Sequence, residues 1–476
     1  MTESFRKNFL PPLVLFFLNA ILFCQFFLFG KIPLDANALY QNFPWKIHAN
    51  ASSNVHASDP AKYFHEIDGT LQIYPLKQET RAQILRGVVP LWTDLIFCGA
   101  PLLANHVGAF SIPSVISYCL PSFSGYGFGI IVQFFLAGWF MYLFSRSLEI
   151  SPVGSFLASV AFMWSGFFFH WHGIVSIMGT LCWSPLILYF VRRCSFRTDR
   201  LAFHGLSFAL LAQFLGSHSQ SWLFNLFLLA VFFIWELARR EADRALLVRR
   251  VVGALILSGF LAAPQVLPFY VTWQNSPRAN QDEAGMYQAR NRLSPRKIVT
   301  LAVPDLFGGT EDNVFSRLLL KSQPEAEGNI WNRMLLGELG SVFNRAWGYI
   351  GLIPLLLSLI GSAGWRKEPH TRIWTVLGWG TLGLLVLLGI GPAHRLLSGF
   401  WKTIDVLDHT RAIYFTVLSL SVLSGFGYDR FQTGDLSEKA AKIAIGFGIL
   451  ILALIAGGMM AGSIFGDAIV RAGLAH

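Results

Sequence analysis

Apolar residues run through this chain in windows of about twenty with few interruptions, and the polar residues collect between the windows. Read that way, the pattern predicts helices near 9–30, 125–146, 152–170, 175–192, 203–217, 219–237, 251–272, 347–365, 373–391, 410–428 and 443–466. Each is long enough, at about 1.5 Å of rise per residue, to cross or nearly cross a hydrocarbon core of roughly 30 Å. The runs are continuous and not alternating, which selects helices over barrel strands as the way to satisfy the backbone in lipid. The expectation is an all-α polytopic membrane protein of about 11 transmembrane helices. Arg6 and Lys7 precede the first run, and no small-residue cleavage site follows before Lys31-Ile32-Pro33, so 1–30 is read as a retained anchor.

The connections divide sharply by length. Segments 31–124 and 273–346 are long, while those within the helix bundle 125–272 and within the C-terminal helices 347–476 are short. Placing the N-terminus in the cytoplasm sends Arg146, the Arg192 to Arg200 group, the Arg239 to Arg250 group, Arg366 with Arg372, and Arg430 with Lys439 and Lys442 to the inner side. The short outer connections then carry almost no basic residues beyond Arg395 and Lys402, which is the positive-inside asymmetry. Both long loops face outward under this orientation, and any chemistry they carry does too. Within the first, Gln78 to Arg86 is amphipathic and stops at Gly87, as a short helix along the membrane surface would.

Composition agrees with the pattern: 54% of the 476 residues are hydrophobic, 13% are charged, and the mean hydropathy is +0.50. The sequence pI near 9.5 follows from the inner loops, and a nucleic-acid footprint would need one concentrated basic face. Five scattered cysteines make neither a disulfide framework nor a zinc site; Cys98 and Cys119 are the one pair expected on the outer side. The chain has no phosphate-binding P-loop, Rossmann fingerprint, HExxH or G-x-S-x-G elbow.

The carboxylates of the first long loop are therefore the leading chemical candidates. Asp35 lies five residues past the first helix, where partial desolvation raises a carboxyl pKa and makes a usable proton acceptor; a helix-end carboxylate facing water is the plainer alternative. Asp68, in Glu66-Ile-Asp-Gly-Thr-Leu-Gln72, echoes that stretch, whereas Asp59 fits a turn cap as readily as a ligand contact. Asn105 and His106 follow a run of apolar anchors beginning at Pro90 and either face a substrate or serve the fold. His170-Trp171-His172 and His218 fall at outer helix ends, the former either lining a cavity or forming a headgroup-level belt. Arg278 and Arg411 could bind a lipid phosphate. Arg411 enters an apolar helix, which calls for an anion or for a carboxylate such as Asp408 or Glu338. Carboxylates near a phosphate could also hold Mg²⁺ or Mn²⁺ through one or two oxygens and waters, although the arginines make a metal dispensable.

Asp35 through Pro44-Trp45, then Asn54, Asp59, Asp68, Gln72, Pro75, Gly87, Pro90-Leu-Trp92, Gly99-Ala-Pro-Leu102, Ala104-Asn105 and Pro113, resemble the opening of the bacterial YfhO-like membrane proteins. Pro264-Gln-Val-Leu-Pro268, Ser276-Pro-Arg278, Tyr349 to Pro354, and Arg411 with Gly425-Phe-Gly427 extend the resemblance over most of the chain. It implies a GT-C fold glycosyltransferase of the bacterial cytoplasmic membrane. Its donor would be a sugar on polyprenyl phosphate, and its acceptor an envelope glycan, polymer or lipid at the outer face. Carried over, Asp35 or Asp68 is the general base, Arg411 or Arg278 meets the departing phosphate, and Asp59, Gln72, Asn105, His106 and His218 contact substrate. Two other readings stand beside it: a lipid or glycan transporter or flippase without covalent chemistry, and a ligase or polymerase acting on lipid-linked glycans.

Overall fold

In a computed structural model of the chain, the structure describes residues 3–34, 68–96, 98–103, 107–239, 243–275, 295–304, 348–366, 368–390 and 409–434, with Leu39, Leu396, Leu397 and Gly446 besides. The protein is mostly helical and membrane-embedded. Among the described residues, seven helical spans are long and apolar enough to cross a membrane: Phe123–Ser147, Pro152–Trp171, Val175–Arg193, Ser219–Ala238, Arg244–Gln274, Pro369–Gly389 and Thr410–Thr433. Leu10–Leu22, Ala202–Leu215 and Leu352–Ser362 are apolar but shorter. The predicted span 443–466 lies outside the described residues except for Gly446.

The chain gathers into two compact units, Met1–Met163 with Trp171–Glu283, and Trp164–His170 with Ala284–His476. Unit 1 begins with α1 (Glu3–Leu22) and α2 (Cys24–Phe29), which ends at Gly30 with φ +65°. A π-helical turn, Gly69–Ile73, runs into α3 (Tyr74–Leu85), and a two-residue hairpin pairs β1 (Trp92–Thr93) antiparallel with β2 (Ala100–Pro101). Then come α4 (Ile112–Tyr118), α5 (Ser122–Ser147), α6 (Pro152–Met163), α7 (Gly166–Trp171, which belongs to unit 2 as far as His170), α8 (Val175–Leu181), α9 (Ser184–Arg193), α10 (Ala202–Leu215), α11 (Ser219–Ala238) and α12 (Arg244–Gln274).

Span Val175–Arg193 is 89% buried and span Arg244–Gln274 only 28%, so α8 and α9 form the centre of unit 1 while α12 shows lipid a face with Ile256 and Phe260. With apolar surface on every side, polar side chains supply much of the helix-to-helix specificity. Asn19 Nδ2 donates to Ile131 O of α5 at 2.9 Å, and Gln133 Nε2 to Val175 O of α8 at 3.1 Å. Asn225 Nδ2 of α11 donates to Thr180 O at 3.3 Å while its Oδ1 accepts from Ser184 of α9.

Helix α12 runs unbroken through Pro264 and Pro268, in keeping with the predicted span 251–272, as helices in lipid can when neighbours satisfy the freed carbonyls. One sequence expectation changes here: His170 and Trp171 are 4% and 2% exposed and so buried in protein, not placed as a headgroup belt.

Unit 2 holds α13 (Leu352–Ser362), α14 (Pro369–Gly389) and α15 (Ile413–Thr433), with 3₁₀ turns at Pro295–Leu301 and His409–Ala412. Helices α13 and α15 cross with backbones in contact: a Cβ on Gly361 would overlap Leu423 O, and one on Gly427 would overlap Leu357 O. Thr416 Oγ1 ties α15 to Gly378 O of α14 at 3.0 Å, and Trp379 Nε1 ties α14 to Ser362 Oγ of α13 at 2.9 Å.

Candidate functional site

Unit 1 concentrates its polar architecture at the end where α3, the hairpin and α4 pack. Asp68 opens the π turn as an exposed carboxylate, and Gln72, four residues on, is exposed as well, so the two stand on one side of the turn. The following residue fixes Asp68 in place, because a Cβ on Gly69 would lie 2.5 Å from Gly173 O in the turn ahead of α8. A second such approach lies at Gly108, whose Cβ would meet Gly216 O at 3.0 Å in the turn between α10 and α11. The loop thus seats backbone to backbone on the bundle end.

The sequence predicted a surface helix over 78–86. The observed α3 starts four residues earlier, with Pro75 in its first turn, where a missing N–H costs nothing. It does end before Gly87, which takes φ +74°. Its buried stripe of Ile73, Leu76, Lys77, Thr80 and Gln83 faces protein, and Leu76 packs with Leu102, Val107 and Ile96. Gln83 Nε2 reaches Trp92 O at 2.9 Å and so holds the hairpin against the helix.

Lys77 is the unexpected member of that stripe. Its amine is 5% exposed and donates to Ser114 Oγ of α4. Ser114 Oγ in turn donates to Gly108 O at 2.8 Å and lies 2.7 Å from Ser111 Oγ. Tyr118 OH donates to Ala109 O at 2.8 Å. Burial lowers the Lys77 pKa from 10.5 to about 7, so near neutrality the amine is a proton acceptor as well as a donor; burial also pushes the Tyr118 phenol up.

Beside this cluster a narrow cleft is lined by Leu103, Ser217, His218, Trp222, Gln265 and Phe269, among others. It is partly open to solvent, with a volume of about 30 Å³, enough for roughly two waters or hydroxyls. Ser217 adopts φ +69°, a conformation that non-glycine residues seldom take, and Gln265 Nε2 holds it by donating to Ser217 Oγ and, at 3.3 Å, to Phe214 O. His218 caps α11: its Nδ1 accepts from Ser221 N at 3.2 Å, while its own N–H donates to Thr180 Oγ1 at 3.4 Å. Gln265 Oε1 and Trp222 Nε1 are buried without a hydrogen-bond partner among the described residues. One wants a donor and the other an acceptor, which a hydroxyl supplies together.

Of the sequence-derived candidates, Asp68, Gln72 and His218 fall in unit 1 at this end. Asp35, Asp59, Asn105, His106 and Arg278 lie outside the described residues. Arg411 is half-buried in the 3₁₀ turn ahead of α15, in unit 2. Cys98 and Cys119, the pair expected on the outer side, are free and exposed. Among the described residues, no three His, Cys, Asp or Glu side chains cluster as metal ligands.

Lys77 lies outside the helix that the sequence predicts over Gln78–Arg86, although its place on the 73, 76, 77, 80, 83 spacing marks it as inward-facing. Gln265 was visible only as part of a proline-flanked motif; its partners are set by α10, some fifty residues away. No protein-family model matches this chain, and neither does any curated protein.

Proposed function

We propose that the protein is a glycosyltransferase of the bacterial cytoplasmic membrane with about eleven spans, a cytoplasmic N-terminus and a GT-C-like site on the outer face. It moves a sugar from polyprenyl phosphate to an envelope glycan, polymer or lipid. The observation that carries this reading is the cleft of unit 1, where a buried Gln265 carbonyl and a Trp222 indole N–H await a hydroxylated group, at the end where Asp68 stands exposed and pinned.

In the reaction an acceptor hydroxyl oxygen attacks the anomeric carbon as the bond from that carbon to the carrier phosphate breaks, with inversion. The hydroxyl proton passes to Asp68 or Asp35, and the electron pair leaves with polyprenyl phosphate, whose charge Arg411 or Arg278 meets. Asp59, Gln72, Asn105, His106 and His218 contribute substrate contacts in this scheme. An outward-facing site needs a membrane-borne donor because nucleotide sugars are confined to the cytoplasm.

The test is transfer from radiolabelled polyprenyl-phosphate hexoses by purified protein and by its Asp68→Asn and Asp35→Asn variants, with and without chelator. Loss of the general base lowers turnover about 10²- to 10⁴-fold while membrane insertion persists. Wild-type turnover in both variants removes the carboxylates from the mechanism. No donor consumption with any hexose, together with lipid flux in proteoliposomes, makes the protein a flippase instead.

A further inference from the structure

At the opposite end of the α8–α9 span from Gly173, the helix termini open a second cavity of about 450 Å³, lined by Arg146 and Glu149 at the end of α5 and by Tyr189, Arg192, Arg193 and Asp199 around the end of α9. We propose that this cavity binds the phosphate of an anionic lipid headgroup or a free phosphate, at a site separate from the one proposed for sugar transfer.

The charge pattern argues for an anion. Three guanidinium groups line the cavity against two carboxylates. Arg193 pairs with Asp199 and also donates to Tyr189 OH, which holds its planar fork over the phenol ring with Cζ 5.2 Å from the centroid. Arg192, 4% exposed, meets Glu236 at 3.3 Å and only grazes Glu149 at 3.7 Å. Arg146 is exposed and donates to Ile150 O, with no carboxylate within ion-pair distance among the described residues. Nearby, Arg250 likewise rests on carbonyls, those of Cys194 at 3.3 Å and Phe196 at 2.9 Å. The local field is therefore positive after internal pairing, in a cavity large enough for a headgroup.

Position argues for a lipid. Arg146 and Arg193 sit in the last turns of α5 and α9, each ending a span, so the cavity opens at headgroup depth. Basic pockets between helix ends are where phosphate headgroups settle. The hydroxyls of Ser147 and Thr198 add neutral donors beside the guanidinium groups.

The experiment is native mass spectrometry of the full chain in detergent with dioleoylphosphatidylglycerol, dioleoylphosphatidylcholine and sodium phosphate as separate probes. Wild type is expected to hold one phosphatidylglycerol about tenfold more tightly than phosphatidylcholine, and Arg146→Gln to lose about that factor, the weight of one charge-assisted contact. Displacement of the lipid by millimolar phosphate identifies the anion itself as the ligand; resistance to it shows that the lipid is required. Equal retention of the two lipids in wild type overturns the proposal without recourse to a variant, as does unchanged binding in Arg146→Gln. Neither readout depends on sugar transfer, so failure of this site is distinguishable from failure of the transferase reading.

Discussion

A buried lysine with no carboxylate beside it among the described residues is a standing cost to a fold, and Lys77 carries one with a definite pH signature. Its pKa falls from 10.5 in the unfolded chain to about 7 in the fold. Between those values the unfolded state binds more protons, so stability rises with pH across the window; below about pH 7 both states are protonated and the full cost remains. At about 1.4 kcal/mol per pKa unit the penalty is on the order of 5 kcal/mol. Lys77→Met should therefore be more stable than wild type by several kcal/mol at pH 6, with the gap closing towards pH 10, in melts of detergent-solubilised protein. A gap constant with pH would mean that the amine does not titrate between the two states. Arg192 and Glu236 illustrate the opposite case, a buried pair supported by Arg239 at 3.1 Å. Glu236→Gln removes the buried carboxylate that Arg192 meets and should cost about 3–5 kcal/mol, whereas Arg192→Met with Glu236→Met should cost less because the buried guanidinium is removed together with that carboxylate. Equal melting temperatures for the single and double variants would contradict that account.

At the scale of helices, small residues determine which elements can meet. The crossing of α13 and α15 depends on Gly361 and Gly427 presenting bare backbone, and Gly427→Val has only the Leu357 carbonyl to move into. That substitution should separate the two helices and render unit 2 susceptible to limited proteolysis at the loops flanking α13, while Gly380→Val, where a Cβ meets nothing within 4 Å, should leave the digestion pattern unchanged. Identical digests of the two variants would show that the close crossing is dispensable. Spans were legible in the sequence because a window of apolar residues carries its own signal. Their internal breaks at Phe23, at Trp164-Ser165 and at Cys182-Trp183 were not, since composition stays apolar through each and only the backbone changes. Site residues divide similarly. Asp68 and His218 stood out as polar groups at helix ends, whereas Ser114 and Gln265 became recognisable only once α4 met α3 and α12 met α10. Those contacts depend on packing between distant segments, which no local pattern records.

At the scale of the molecule, the proposals require the two polar ends of unit 1 to face opposite sides of the membrane, with α3 and α4 outside and the arginines inside. The natural cysteines suit a direct test. Cys98 and Cys119 are exposed at the end bearing α3 and α4, while Cys182 and Cys194 are buried, and burial pushes the Cys194 thiol up to about 12, so little reactive thiolate forms there. In a Cys24→Ser background, a membrane-impermeant maleimide added to intact cells should label Cys98 and Cys119. Adding Arg200→Cys places a thiol at an exposed position of the arginine end, and that thiol should react only after permeabilisation. The reverse pattern would turn the protein over and place Asp68 in the compartment that holds nucleotide sugars, removing the reason for a lipid-borne donor. It would also move the arginine-lined cavity away from the anionic cytoplasmic leaflet, whose surface potential favours basic groups by about 1 kcal/mol each. Orientation is thus the shared premise of the transferase and the phosphate site, and because it is read without substrate, lipid or activity, labelling tests that premise before either chemistry is assayed.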